Sequence, residues 1–359
     1  MTVSEANDIR SWDAFLGAQP FRPFLQSWTM GEVYRSIGQE PVRLIVREGG
    51  EMIGMCQAIV VPARRGRHLA VHYGPILHSQ LRATSRTSCL ESLLSELRRI
   101  AIDEHCAFIR LSPFLPIEAP QGAEVGWPPT GAQPSPLHLL AEHVWYLPLR
   151  KPDPWHMSPE STTVPTEEEL LMNMRKTTRN LIRRAERDGV EITASADPEN
   201  DAETFIALHE ETRKRHGFTP YSNAFFRAQV RHFAPRRECT VYLAHFEGEV
   251  IASSIHMHAF GETSYHHGAS SFKHAKIPAS YLLQWRAITD ALRRGDHVYN
   301  FWGIAPEGVT KHPFLGVTLF KTGFGGTKID LVHCVDIPLR PLYRLTRLIE
   351  QVRKWRRGF

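Results

Sequence analysis

Cysteine is scarce in this chain: five residues in 359, at positions 56, 89, 106, 239 and 334. They are scattered, odd in number and never paired as CxxC. That excludes a disulfide framework or a zinc ribbon and fits a reducing, cytoplasmic setting. Long apolar runs are also missing; none approaches the ~18 residues of a membrane span. Residues 1–15 lack an apolar core behind a basic start, so they do not read as a secretory signal. Histidine pairs exist at His256/His258 and His266/His267, but no cysteine or carboxylate is placed to complete a ligand set, and no metal is expected. Gly323, Gly325 and Gly326 lack the spacing and βαβ context of a dinucleotide fingerprint, and no cofactor is expected. What remains is an ordinary soluble composition, 42% hydrophobic and 23% charged. The length suits two domains of roughly 150 residues each.

The net charge of +5 is modest but uneven. Residues 175–187 carry Arg175, Lys176, Arg179, Arg183, Arg184 and Arg187 against Glu186 alone. The tail carries Arg340, Arg344, Arg347, Arg353, Lys354, Arg356 and Arg357 against Glu350. Such patches point to phosphate-bearing partners or an anionic surface, or are simply solvated helix faces. In the tail, Leu342, Leu345, Leu348, Ile349, Val352 and Trp355 recur at helical spacing. That segment reads as core cover with a basic outer face, as a tRNA contact or as a helix on anionic lipid.

Two segments resemble each other. Each runs strand, tight turn at Glu48-Gly49 or Glu247-Gly248, strand, short strand, helix, strand. The helices are expected at 85–101 and 279–292, from apolar residues three and four apart. The hairpins follow from alternating runs flanking acid-glycine turns. This predicts an α/β (α+β) chain with mixed sheets, duplicated internally as two acyltransferase-like halves. The linker rich in proline and tryptophan sets the boundary near residue 160. The first domain then covers 1–160, completed by 327–359, and the second covers 161–326. A helical segment opens at Thr166, whose capping box with Glu169 marks a start, and Gly189 marks its end.

Within the second half, Val298–Trp302 reads as a strand, and Phe320-Lys321-Thr322-Gly323 follows. Lys321 sits among apolar residues and glycines. It reads either as a solvated lysine closing a strand or as a cation at the edge of a site, since burying an ammonium is costly without a task.

These motifs, in this order, resemble the Fem-type aminoacyltransferases that build the interpeptide bridge of peptidoglycan. The resemblance runs from about Phe24 to the C-terminus. It rests on Gln26-Ser27 with Gly31-Glu32-Val33, Lys176 through Ala185, Glu211-Thr212-Arg213 with Arg215-His216-Gly217-Phe218, Gly268-Ala269-Ser270, Leu282-Leu283-Gln284-Trp285, Phe301-Trp302-Gly303-Ile304 and Phe320 through Gly326. It implies two tandem GNAT-like (acyl-CoA N-acyltransferase-like) domains, here without the coiled-coil arm of many relatives. It also implies transfer of an amino acid from aminoacyl-tRNA to the side-chain amine of a UDP-linked or lipid-linked muropeptide precursor.

Residue by residue, the resemblance makes Lys321 the catalytic cation and Phe320 an aromatic wall. It makes Arg215 a contact for diphosphate or carboxylate, with Tyr265 lining the site. Tyr34, with Arg35 next to it, stands where relatives often carry lysine. Ser112 precedes Pro113 where relatives often carry an acid. Tyr34, Arg35 and Ser112 are therefore substrate-contact candidates, and the proton acceptor stays open, with Glu211 one choice. Lys176, Arg179 and Arg183 are candidates for tRNA phosphates. A cytoplasmic monomer is expected, with peripheral contact to an anionic membrane through the basic tail. The same fold with an acyl-CoA donor, or a non-catalytic muropeptide-binding relative, are the alternatives.

Overall fold

The two acid-glycine turns close hairpins of the same kind. Gly49 and Gly50 have φ of 61° and 90°, and Glu247 and Gly248 have φ of 50° and 80°. Positive φ at both central positions is the turn whose twist matches the flanking strands. The computed structural model describes residues 1–64, 66–118, 127–150, 163–216 and 221–357; the side chains of residues 215, 216 and 357 lie outside that description.

The chain divides into two compact units. The first comprises Met1–His143, Pro306–His312 and Ile329–Phe359, and the second Val144–Ala305 with Pro313–Lys328. The first unit's opening stretch ends at His143, where the strand that pairs into the second sheet begins.

The first unit begins with strand β1 (Thr2–Glu5), helices α1 (Ile9–Gly17) and α2 (Trp28–Ser36), and the hairpin β2 (Pro41–Glu48) and β3 (Glu51–Val61). It continues through β4 (His68–Tyr73), β5 (Ile76–Leu77), α3 (Ala83–Asp103), β6 (Phe108–Pro113) and β7 (Gln133–Pro134). The second unit holds β8 (His143–Pro148), α4 (Glu167–Asn173), α5 (Lys176–Arg187), β9 (Glu191–Ala194), α6 (Pro198–His216) and α7 (Asn223–Phe233). Then come β10 (Cys239–Phe246), β11 (Glu249–Ala259), β12 (Glu262–Ser270), α8 (Ala279–Arg294), β13 (Val298–Gly303), α9 (Leu315–Thr322) and β14 (Thr327–Asp330). The chain ends in β15 (Val335–Pro338) and α10 (Tyr343–Arg357).

The first sheet has the order β1-β2-β3-β4-β6-β15-β7, the second β9-β10-β11-β12-β13-β8-β14. Position by position the two orders match, and in each the fourth and fifth strands are parallel with a helix between them. The sixth strand comes from outside the repeat: β15 in the first sheet, β8 in the second.

The helical periodicity shows up as burial. Leu90, Leu93, Leu94 and Leu97 of α3 are sealed against Leu44, Val46, Cys56 and Ile109. Each such side chain contributes about 2 kcal/mol relative to exposure. In the second unit, Leu283, Ala287, Ile288 and Ala291 of α8 meet Ile182 and Ala185 of α5 and Tyr242 and Phe301 of the sheet.

The segment opened by Thr166 is two helices rather than one. Its capping box forms as expected, but Met174 is extended at ψ 155°. The break lets the Arg175 amide reach the Gly323 carbonyl at 2.9 Å. The Arg179 guanidinium then holds the carbonyls of Leu171, Met172 and Met174.

Candidate active site

In the first unit the parallel pair β4–β6 is zipped for six residues, from His68 opposite Phe108 to Tyr73 opposite Pro113. In the second unit the corresponding pair β12–β13 opens after Ser264 opposite Asn300, although both strands continue. The cause is local. The Asn300 side chain accepts the Trp302 amide at 2.7 Å, a bond that competes with the ladder. Trp302 takes the left-handed conformation at φ 65°, which costs a large side chain energy. Its ring meets His266 edge-on at 5.0 Å, where strand pairing has ceased. Asn300 is fixed in turn by its amide on Glu262 at 2.8 Å.

Lys321 lies beside this opening. It belongs to the last turn of α9, not to the end of a strand, and is 7% exposed. Its Nζ donates to the Gly303 carbonyl at 2.7 Å, and the Tyr265 ring lies 5.9 Å away. Burial alone pulls its pKa from the usual 10.5 to about 7. The helix is held from below by Arg175, whose guanidinium donates to the Leu319 carbonyl and the Thr322 hydroxyl at 2.6 Å each.

The aromatic wall is built from neighbours on three elements. Phe320 is half-buried, edge-on to Tyr281 at 4.9 Å and Phe324 at 5.4 Å, and reaches Tyr265 at 6.5 Å. Tyr265 stacks on His256 at 5.4 Å, and burial pushes its hydroxyl up to about 12, so it stays a neutral donor. Its oxygen lies over Gly268, where an added Cβ would come within 1.8 Å of it. That close approach explains the glycine of the Gly268-Ala269-Ser270 motif. Lys321, Phe320 and Tyr265, singled out separately in the sequence, thus share one site.

The other candidates distribute differently. Lys176 and Arg183 are exposed on α5, whereas the Arg179 guanidinium is committed to the three carbonyls above. Arg215 falls at the end of α6, and its side chain lies outside the described residues. The carboxylate of Glu211 accepts the Phe272 amide.

Tyr34 and Ser112 are in the first unit. Tyr34 stacks on His72 at 5.7 Å and meets its Nδ1 at 3.2 Å. Ser112 is the residue opposite His72 across the parallel pair. Burial drops the His72 pKa to about 4, so the ring is neutral near pH 7. Arg35 turns away from this group onto Glu32 and Glu40. The rest of the Gln26-Ser27 motif is architecture. Gln26 bridges the Gln57 and His72 backbones, and Ser27 caps α2 at the Met30 amide.

His256 and His258 are core residues with hydrogen-bond partners. His256 Nε2 meets the Tyr299 hydroxyl at 2.7 Å, and that hydroxyl donates to Gln284. His258 meets Thr240 and Thr263. Burial drops the pKa of His256 to about 3. Among the described residues no cluster of histidine, cysteine and carboxylates is arranged to hold a metal.

Sequence reasoning missed three contributors: Trp302 as the wedge, the Gly303 carbonyl as the lysine's anchor, and Arg175 as the clamp on α9. Trp302 and Gly303 were visible only as members of a motif. Arg175 was visible only as one cation in a basic run.

An Acetyltransferase (GNAT) domain model matches residues 172–310. Aminoacyltransferase FemA of Staphylococcus epidermidis is 30% identical over 94 residues, which is 26% of this chain and only 22% of that protein. Among solved structures, FemX superposes with a TM-score of 0.79 at 17% identity, covering 98% of this chain and all of that one. L-PGS from Bacillus licheniformis gives 0.54 at 13% identity over the whole of both chains. A tandem GNAT protein from the clavulanic acid biosynthesis pathway gives 0.52 at 13%, covering 93% of this chain and 98% of that one. The structural likenesses establish the fold, two GNAT-like domains in tandem. The likeness to FemA and to the acetyltransferase domain model covers part of the chain only, and the chain spans less than a quarter of FemA's length in that match.

Proposed function

We propose that the opening in the second sheet is the reaction centre of an aminoacyl transfer from aminoacyl-tRNA to the side-chain amine of a peptidoglycan precursor. The observation that carries this reading is Lys321: an ammonium buried, among the described residues, without a carboxylate to compensate it, and hydrogen-bonded at the mouth of a strand opening. Such a group is arranged for negative charge that arrives or develops there.

The chemistry is aminolysis of an ester. The acceptor nitrogen attacks the aminoacyl carbonyl, the carbonyl oxygen gains charge, and the C–N bond forms. The ester C–O bond then breaks. The tRNA ribose oxygen leaves and gains a proton as the attacking nitrogen loses one. Lys321 stabilises the oxyanion, an effect worth several kcal/mol of barrier. Phe320 and Tyr265 wall the ester and exclude water. Tyr34 and Ser112, grouped around a neutral His72, form a separate candidate substrate-contact group within the first unit. Exposed Lys176 and Arg183 offer charge to tRNA phosphates.

Incubation with charged tRNAs and either UDP-linked or lipid-linked precursor is expected to lengthen the stem peptide by one residue. No product with any charged tRNA on either acceptor would overturn the reading. An acyl-CoA donor is the second reading, favoured by the opening itself, which suits an extended thioester arm. The turn before α8 has no glycine, and Pro278 stands at its N-cap, a poor seat for a pyrophosphate. Micromolar CoA binding by calorimetry would favour this second reading.

A further inference from the structure

Helix α10 is turned inside out. Its protein-facing side carries Tyr343, Thr346 and Glu350, exposed by only 3%, 2% and 5%. Its outer side, with Leu342 just before it, carries Leu345, Leu348, Val352 and Trp355, exposed by 54%, 57%, 43% and 82%, and Leu342 by 54%. A surface helix of a globular protein normally does the reverse. The expectation of apolar core cover with a basic outer face is therefore corrected.

The cause is a buried ion network. The Arg110 guanidinium holds Asp336 in two bonds of 2.7 and 2.9 Å and Glu350 at 2.7 Å. The Tyr343 hydroxyl donates to Asp336 at 3.0 Å. Arg347 donates to that hydroxyl and to the Pro134 carbonyl. Rotating the helix to bury its leucines would withdraw Glu350 and Tyr343 and strand buried charges, which costs more than the leucines would return. The network thus fixes the apolar stripe outward.

A continuous apolar stripe at three- and four-residue spacing marks an interaction surface. Its occupant is set by charge. Arg344, Lys354 and Arg356 are exposed along the same helix, and its one acid, Glu350, is consumed by Arg110. A second copy docked on this face would bring two cationic helices together without a compensating acid. Nucleic acid would satisfy the cations but leave the leucines in water. An anionic lipid surface satisfies both, with leucines in the acyl boundary, cations at the headgroups and Trp355 at the interface. We propose that α10 lies flat on an anionic bilayer and holds this protein at the membrane surface. Among the described residues no helix is long and apolar enough to cross a membrane.

Lipid docking and acyl transfer are separate properties, and a vesicle assay reads the first without substrate. The full chain is sedimented with vesicles of phosphatidylcholine alone or mixed with phosphatidylglycerol. Binding is expected to the mixed vesicles and to weaken by about ten-fold or more on phosphatidylcholine. Leu345→Ser with Leu348→Ser, and separately Arg344→Glu with Arg356→Glu, should each weaken it about ten-fold. These side chains point outward, so circular dichroism and melting should be unchanged. Wild-type protein that ignores the mixed vesicles overturns the proposal, as do variants that bind like wild type. Dimerisation abolished by the leucine changes would assign the stripe to a second copy. RNA binding without lipid binding would assign the basic face to nucleic acid. Either result also overturns the proposal.

Discussion

Lys321 has its pKa held near 7 by burial alone, so its charge state is set by what enters the site. Lys321→Ala is expected to lower kcat by about 10²–10³, with KM little changed, as loss of an oxyanion stabiliser does. An unchanged single-turnover rate would remove Lys321 from the chemistry. The same residue makes a pH prediction. As a cation it supports transfer below its folded pKa, so the Lys321-dependent limb of the rate should fall as pH rises through about 7. A limb that rises there would make Lys321 the proton acceptor instead. The stability sign is opposite. The folded pKa lies below the unfolded 10.5, so between about 7 and 10.5 the unfolded chain binds more protons and stability rises with pH. Lys321→Met should therefore stabilise the protein at neutral and lower pH. It should also flatten that rise, as read by denaturant titration across the range. A variant that loses activity while gaining stability is the expected mark of a functional group in a hostile place.

Helix α9 owes its position to elements far from it in sequence. Arg175→Ala removes two hydrogen bonds from its last turn. We expect kcat to fall and the Lys321-dependent limb to move to higher pH as water reaches the ammonium. A loss of activity with an unmoved limb would make Arg175 merely structural. Much at this scale was legible in the sequence. The hairpins at Gly49 and Gly248, the leucine stripe of α3 and the Thr166–Glu169 cap follow from local rules, and local rules decided them. Helix α9 was not legible, because Leu315–Thr322 is short and shows no two-sided pattern: Phe314, Leu315, Val317 and Leu319 are all exposed. The strand opening was not legible either, since it depends on one side-chain bond from Asn300 to a left-handed Trp302. The tail shows periodicity misleading in direction. Its apolar stripe predicted burial, but the pull of Arg110 on Glu350, 240 residues away in sequence, and of Asp336 on the Tyr343 hydroxyl won.

Across the whole molecule the duplication carries an asymmetry. Both sheets have the same strand order, but only the second opens its parallel pair. The first sheet is completed by β15, which brings Asp336 to Arg110. Asp336→Ala leaves a buried guanidinium short of a partner and should cost about 3–5 kcal/mol. An unfolding free energy within about 1 kcal/mol of wild type would show that the network is not what orders the tail. The tandem fold and the Lys321 motif were readable as a family pattern, whereas the asymmetry between the sheets emerges only from the paired strands. The most direct test of the central claim is a single-turnover assay with charged tRNA and muropeptide precursor, comparing wild type with Lys321→Ala at saturating substrate. Transfer by wild type and a rate reduced about 10²-fold or more in the variant are predicted. Equal rates, or no transfer by wild type on either acceptor form, would contradict the account.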